Sequence, residues 1–574
     1  MKNHKFVIYQ LFVRLFGNQS AKNLFFGTKE ENGTGKFSDI NKKALQALKK
    51  LGSTHIWYTG VIEHASMTDY SAFGILPDNP HVVKGRAGSP YAIKDYYDVN
   101  PDFAEKVTDR MKEFESLIQR THENDLKVII DFVPNHVARS YFSDSKPKKI
   151  QNLGESDKME ALFDPQNNFY YLPSTFSPPS EHFIPADLDA KPYHEFPAKA
   201  TGNDQFTATP SINDWFETVK LNYGVDVLNY KTYFDPIPDT WQKMLDILLF
   251  WAKKGVDGFR CDMAEMVPVE FWEWVIPKVK AEFSEVIFIA EIYNPNEYRN
   301  YIFKGKFDYL YDKVGLYDCL KRVLQGNSPA DSISKEWQTT EGINDQMLRF
   351  LENHDEQRLA SEFFAGKAEK GIPAMLVCAT LNKNPVMIYF GQEVGEPALE
   401  ASGFSGADGR TTIFDYYGVP EHQKWLNNGK FDGAKLSEEQ KKLHENYAKI
   451  LNLCQKNDAI SNGNLFDLQY VNHYWKSLGY DERFLYAYLR YSDKQKLLII
   501  VNFSEESKNF SLKIPTLAFE LMNLDMNKKY KMKDILLGKQ KFAFDPLQIS
   551  VLDNPESGIK VSLQGLESLI LEIK

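Results

Sequence analysis

An alternation constrains this chain more than any other feature. Short apolar runs at 6–13, 55–59, 128–132, 258–262, 286–290, 307–311, 347–351 and 385–389 are separated by stretches of helical period, such as 40–51, 104–124, 240–254, 269–282 and 374–381. Each short run is mostly apolar rather than apolar only at every second position. That is the pattern of a strand covered on both faces, which parallel sheets produce because crossover helices lie on both sides. Eight such units fit a closed (β/α)8 TIM barrel better than an open sheet, so the fold class is α/β.

Two regions break the alternation. Residues 137–227 are rich in Pro, Asn, Asp, Ser and aromatics and show no sustained period. A loop this long inside a compact domain is usually functional or carries its own subdomain. It reads as an inserted domain after the third strand, packed over the barrel mouth, with the barrel built from 1–136 and 228–458. From 459 to 574 the chain becomes short apolar runs (484–489, 497–501, 511–514, 549–552 and 568–573) between turn residues, which suggests a C-terminal antiparallel β-sandwich.

Composition narrows the function classes. A net charge of −10 argues against nucleic acid as the main partner. Cys261, Cys319, Cys378 and Cys454 are scattered, with neither metal-ligand nor disulfide-framework spacing, and read as buried thiols. No apolar run reaches the ~18–20 residues of a membrane span. The N-terminus enters a strand-like run at once, which leaves no room for a signal peptide and gives a cytoplasmic expectation; trimming of a longer chain would look the same.

In a (β/α)8 barrel, catalytic groups sit where strands end at the C-terminal face. Strand three ends in Asp131-Phe-Val-Pro-Asn-His136, strand four in Arg260-Cys-Asp262, strand five in Ala290-Glu-Ile-Tyr293 and strand seven in Glu352-Asn-His-Asp355. Arg260 and Asp262 are two apart, so in a strand they point to one side. Taken singly, each is an ordinary salt bridge or loop cap. Together they bring carboxylates and histidines to one rim, which is costly unless they are paired or used. Glycoside hydrolysis wants this inventory: one carboxylate to attack the anomeric carbon and one protonated carboxyl for the leaving oxygen, ~5–5.5 Å apart for retention.

Four segments, Asp131-Phe-Val-Pro-Asn-His136, Gly258-Phe-Arg-Cys-Asp-Met-Ala264, Phe288-Ile-Ala-Glu-Ile292 and Phe350-Leu-Glu-Asn-His-Asp355, resemble the signature segments of the α-amylase family, in that family's order and on the matching strands. The resemblance implies Asp262 as nucleophile, Glu291 as general acid/base and Asp355 as a third carboxylate gripping sugar hydroxyls. It also implies Arg260 holding the nucleophile, His136 and His354 binding sugar, Tyr91 stacking beneath it, and Asp131 supporting the site. Gly391-Gln-Glu393 resembles the family's strand-eight ending. The inserted aromatics Phe169-Tyr-Tyr171 and Trp215-Phe216 read first as core or lid contacts, and Trp215, near the return to the barrel, is the better candidate of the two for a sugar platform. The implied partner is an α-glucan oligosaccharide or polysaccharide, and the implied activity is α-amylase-like hydrolysis of α-1,4 bonds. A glucanotransferase or an α-1,6-active or maltogenic member would use the same carboxylates. A non-catalytic α-glucan-binding protein is a remoter alternative, against which the intact carboxylates speak.

The departures fall just past the nucleophile position. Many α-amylases place a lysine and a histidine where Glu265 and Met266 stand here. In the family that lysine touches the leaving-group side, and the histidine backbone helps hold a structural calcium. Asn135 matches a calcium ligand, and Asp187, Asp189 and Asp226 are acidic candidates in the insertion, but a hard cation takes six to eight oxygens, many of them backbone. The chemistry itself requires no cofactor; a structural calcium at Asn135 remains open.

Overall fold

The computed structural model describes residues 5–399, 403–538 and 540–574. The expected strands form: β1 (Val7–Phe12), β2 (His55–Thr59), β3 (Lys127–Phe132), β4 (Gly258–Cys261), β5 (Ile287–Ala290), β6 (Tyr309–Tyr311), β7 (Met347–Leu348) and β8 (Val386–Tyr389). They pair in parallel in the order β7-β6-β5-β4-β3-β2-β1-β8. A parallel bridge between Arg349 and Val386 joins the two ends, so the sheet closes. The Arg349 side chain braces that seam from within, donating to Asp312 at 3.0 Å, Asn382 at 2.7 Å and Asn344 at 3.0 Å.

A helix follows each strand: α1 (Lys42–Leu51), α2 (Arg110–His122), α3 (Asp239–Lys253), α4 (Val269–Glu282), α5 (Tyr298–Phe303), α6 (Asp318–Leu324), α7 (Gly371–Thr380) and α8 (Glu438–Lys456). Helix α1 shows the local logic. Asn41 accepts from the amides of Lys43 and Ala44, and Gly52 ends the helix with a left-handed φ of 119°. Ala44, Leu45, Leu48 and Leu51 form the buried stripe toward the barrel. The helix expected from 104 starts later, at Arg110, because a turn at Val107–Asp109 precedes it and the Glu113 carboxylate ties back the amides of Glu105 and Lys106.

The insertion is held by short antiparallel rungs: His136–Ala138 with Thr218–Lys220, Tyr171–Leu172 with Ala198–Lys199, and Val225–Asp226 with Lys231–Thr232. Its hub is the buried Arg139, which pairs with Glu195 at 2.7 Å, donates to the Phe216 carbonyl and lies over the Phe176 ring.

The C-terminal region forms a six-stranded antiparallel sheet and a two-stranded one. In the strand Leu485–Tyr491, Leu485, Ala487 and Leu489 pack toward the small sheet, while Tyr486 and Tyr488 join the barrel core. This period-two alternation lets one sheet face two partners. The strand expected at 549–552 does not form. Asp545 caps a short helix, Pro546–Ile549, whose proline at the first turn suits a helix start. Strands at Asn464–Asp467, Tyr530–Asp534, Lys541–Phe544 and Ile559–Leu563 were not expected, because exposed polar or lysine residues interrupt their apolar pattern. Residues 400–402 lie outside the described residues.

Candidate active site

The parallel register builds the site. Arg260 lies opposite Asp131 of β3 and Ile289 of β5, and Cys261 lies opposite Ala290, so Asp262 and Glu291 follow their strands at the same height. Cys261 points into the core, as expected. The Arg260 guanidinium is wholly buried. Its Nη1 donates to Asp262 Oδ1 at 2.6 Å, and its Nε donates to the Tyr311 hydroxyl at 3.1 Å. Its Nη2 lies 2.8 Å from Glu291 Oε2, an ion pair whose angle falls outside hydrogen-bond geometry. Asp131 is 3.8 Å away, and the rings of Trp57, Tyr91 and Tyr311 surround the guanidinium carbon at 5.3–5.5 Å.

Asp131 is held by the Gly60 amide at 3.0 Å and by the Tyr91 hydroxyl at 3.2 Å. Gly60 has φ 72°, and a Cβ there would meet Phe12 and Pro90 at 2.9 Å, so only glycine brings that amide into place. Tyr91 also bonds His354 Nε2, and the Gln10 amide fixes His354 Nδ1 at 2.8 Å. His354 Nε2 lies 3.0 Å from Asp355. Burial, followed by the charge of Arg260, pulls His354 well below the usual histidine range. Burial and then Lys220 pull His136 down to about 3, so both rings are neutral near pH 7.

Asp262 and Asp355 are shifted in the same direction beside one guanidinium. Burial, then Glu291, raises Asp355 to about 7. Burial raises Asp262 as well, with Arg260 opposing and Glu291 adding to the rise. The set therefore carries a proton into the neutral range.

These groups open on a cavity of about 530 Å³ lined by Tyr91, His136, Trp215, Asp262, Met263, Glu291, Tyr293 and Asp355 among others. Trp215 is half-exposed there, with its ring 5.2 Å from His136, whereas Phe216 and Phe169-Tyr-Tyr171 are buried. Asp131, Arg260 and His354 lie behind the lining. Glu352 turns away to pair with Arg358 at 3.1 Å, and Glu393 accepts from the Tyr9 hydroxyl at 2.7 Å.

Asn135 does not face an open oxygen cage. Its Oδ1 accepts from the ammonium of Lys220, which also donates to the Met266 carbonyl at 3.2 Å and pairs with Asp204 at 2.8 Å. Asn135 Nδ2 donates to the Gly202 carbonyl at 2.8 Å. The oxygens a divalent ion would need already face a cation, and this donor set does not fit calcium. Asp187 pairs with Arg86 at 2.6 Å, and Asp226 bonds Asn229 at 2.8 Å. Among the described residues, no group of three or more His, Cys, Asp or Glu could hold a metal.

Sequence reasoning missed Met263, Tyr293 and Lys220. Met263 adopts a left-handed φ of 44°, a strained turn that aims its amide at Glu291 Oε2, 2.8 Å away. The Tyr293 hydroxyl donates to Glu291 Oε1 at 2.8 Å. Glu265 explains how: its carboxylate accepts the amides of Tyr293 and Asn294, each at 3.0 Å, and so fixes the loop that carries the tyrosine. Only the departure at 265 hinted at this arrangement. Glu265→Ala should therefore lower catalytic turnover about 10- to 100-fold, the cost of a displaced reacting group, and speed amide exchange at 291–295. Unchanged exchange and turnover would show that the loop stands without it.

The model of the alpha amylase catalytic domain matches residues 24–463. Alpha-amylase 3 of Dictyoglomus thermophilum is 23% identical over 479 residues, 78% of this chain and 81% of that one. Neopullulanase 2 of Thermoactinomyces vulgaris is 20% identical over 524 residues, 89% of this chain and 71% of that one. The fold is similar to that of a maltogenic alpha-amylase from Thermotoga neapolitana, at TM-score 0.61 and 18% identity, covering 99% of this chain and 98% of that one. With the catalytic-domain model spanning most of its length, the chain belongs to the α-amylase family of glycoside hydrolases.

Proposed function

We propose that the protein is a retaining hydrolase of α-1,4-glucosidic bonds in starch, glycogen or maltodextrins. The observation that carries this reading is the Arg260 fork, which sets Asp262 and Glu291 side by side at the cavity floor. In the first step, Asp262 attacks the anomeric carbon while Glu291, protonated, donates to the glycosidic oxygen, and the bond to the leaving sugar breaks. Arg260 orients Asp262 and favours its ionised form. In the second step, Glu291 takes a proton from water, which attacks the same carbon and frees Asp262. Asp355 and His354 grip the sugar hydroxyls, with Tyr91, His136 and Trp215 around the ring. The charge distribution favours positive charge developing on the sugar over the neutral ground state. Relatives named for amylase and neopullulanase activity, and neighbours solved with maltose, maltotriose and acarbose, support an α-glucan as the ligand.

Asp262→Asn and Glu291→Gln should each cut turnover by several orders of magnitude, on the scale of losing a nucleophile or acid/base, with the fold intact by circular dichroism. Products from amylose, pullulan and maltotriose identify the bond: reducing ends from amylose mark α-1,4 hydrolysis, and chains longer than maltotriose mark transfer. Near-wild-type rates in either variant would overturn the residue roles.

Below its value of about 7, Asp355 is protonated and can donate to a sugar hydroxyl as the bond breaks. As pH rises through the value of about 7 at Asp355, that proton is lost. The rate on maltodextrin should hold in the weakly acidic range and fall above about pH 7. A rate still climbing at pH 9 would contradict it.

The same reading dispenses with calcium at Asn135, because Lys220 supplies the positive charge there. No helix among the described residues is long and apolar enough to cross a membrane. Activity and melting temperature should be unmoved by a chelator, whereas Lys220→Ala should lower the melting temperature by leaving Asn135 and Asp204 unpaired. Loss of activity on chelation, restored by calcium, would refute the assignment.

A further inference from the structure

Beside the catalytic cavity lies a second, of about 650 Å³. Lys84, Ile212, Asn213, Phe404 and Phe414 line both, so the two cavities adjoin across a shared wall. Leu24, Phe25 and Phe26 line the second cavity. Phe183 joins them, its ring 5.4 Å from Phe25 and 4.7 Å from Phe26, and the rings of Phe25 and Phe26 are 4.8 Å apart. Phe25 is 78% exposed and Phe183 48%. Mutually touching rings left facing water mark a surface that binds something.

The rings are displayed on a fixed frame. Phe26 has φ 51°, an outlier for a bulky residue. The buried Asn32 accepts the Leu24 amide at 2.9 Å and donates to the carbonyls of Leu24 at 2.8 Å and Tyr416 at 2.9 Å. Thr28 and Glu31 form a capping box over the short helix Lys29–Asn32. The loop is thus tied to the segment that supplies Ile413 and Phe414 to the catalytic cavity.

We propose that this second cavity is a remote subsite for the α-glucan chain whose cleaved bond lies over Asp262, with Phe25, Phe26 and Phe183 as its platform. The inference rests on the α-glucan reading above. A pyranose ring carries a face of C–H groups, which suits the negative face of an aromatic ring and needs no charge. Asn213, exposed between the two cavities, and Lys84 offer polar groups to sugar hydroxyls along the way. The adjoining position selects a linear sugar over a protein partner, because a chain too long for the first cavity has this space beside it. The enzyme therefore favours long α-glucans over short ones.

The test compares maltotriose with maltoheptaose in a Phe25→Ala/Phe183→Ala double variant. Both side chains are water-facing, so the melting temperature should hold. The kcat/KM for maltoheptaose should fall about tenfold, the scale of one or two lost aromatic contacts, while that for maltotriose stays put. Maltoheptaose binding by calorimetry, in an Asp262→Asn background, should weaken by the same factor. If both sugars change equally, or neither changes, the platform is refuted while the α-glucan reading survives. If the unsubstituted protein neither cleaves nor binds either sugar, that reading falls and takes the platform with it.

Discussion

The site depends on one buried guanidinium. Arg260 has no water, so its charge must be balanced by groups the fold delivers. The barrel delivers more negative charge than one cation can neutralise: Asp262 and Glu291 in contact, Asp131 close by, and Asp355 coupled through Glu291. That surplus is what leaves a proton on the carboxylate set near neutrality. The rings of Trp57, Tyr91 and Tyr311 keep water from relieving it. An uncompensated cluster of this kind is poor for stability and suited to acid catalysis, which is why such clusters point to function.

The barrel and this cluster were legible because parallel strands impose two plain patterns, unbroken apolar runs and polar residues at their C-terminal ends. Residues two apart in a strand, and residues in register on neighbouring strands, share a face without further information. What was illegible depends on loops. Lys220 reaches Asn135 across 85 positions, and Glu265 reaches the amides of Tyr293 and Asn294 across 28 and 29. No periodicity links such pairs. The C-terminal sheet was partly hidden for a different reason: its edge strands, such as Lys541–Phe544, are lysine-bearing and half-exposed, the usual protection of an edge and a poor apolar pattern.

The two departures past Asp262 turn out to be structural answers to separate questions. Glu265 holds the backbone of Tyr293 and Asn294, and so acts through the loop carrying a hydrogen-bond donor to Glu291. Met266 contributes only its carbonyl, and that carbonyl meets an ammonium. A lysine at 220 and an asparagine at 135 are then one interaction seen from two places in the chain.

Rigid strands hold the proposed chemistry, while the loops that shape the cavity are each fastened by one buried polar side chain. Arg14 donates to the carbonyls of Ile413 at 2.6 Å, Ala87 at 3.0 Å and Gly88 at 3.1 Å, binding the loop before Tyr91 to the loop before Phe414. Asn32 ties the Phe25 loop to Tyr416, and Arg139 ties the insertion to itself. Buried groups of this kind are costly if left unpaired, so each loop has one arrangement much better than its neighbours. The cavity wall is therefore preorganised even where it lacks regular secondary structure. Recognition of the sugar chain then rests on these loop residues, with the carboxylate cluster held on the strand ends beneath them.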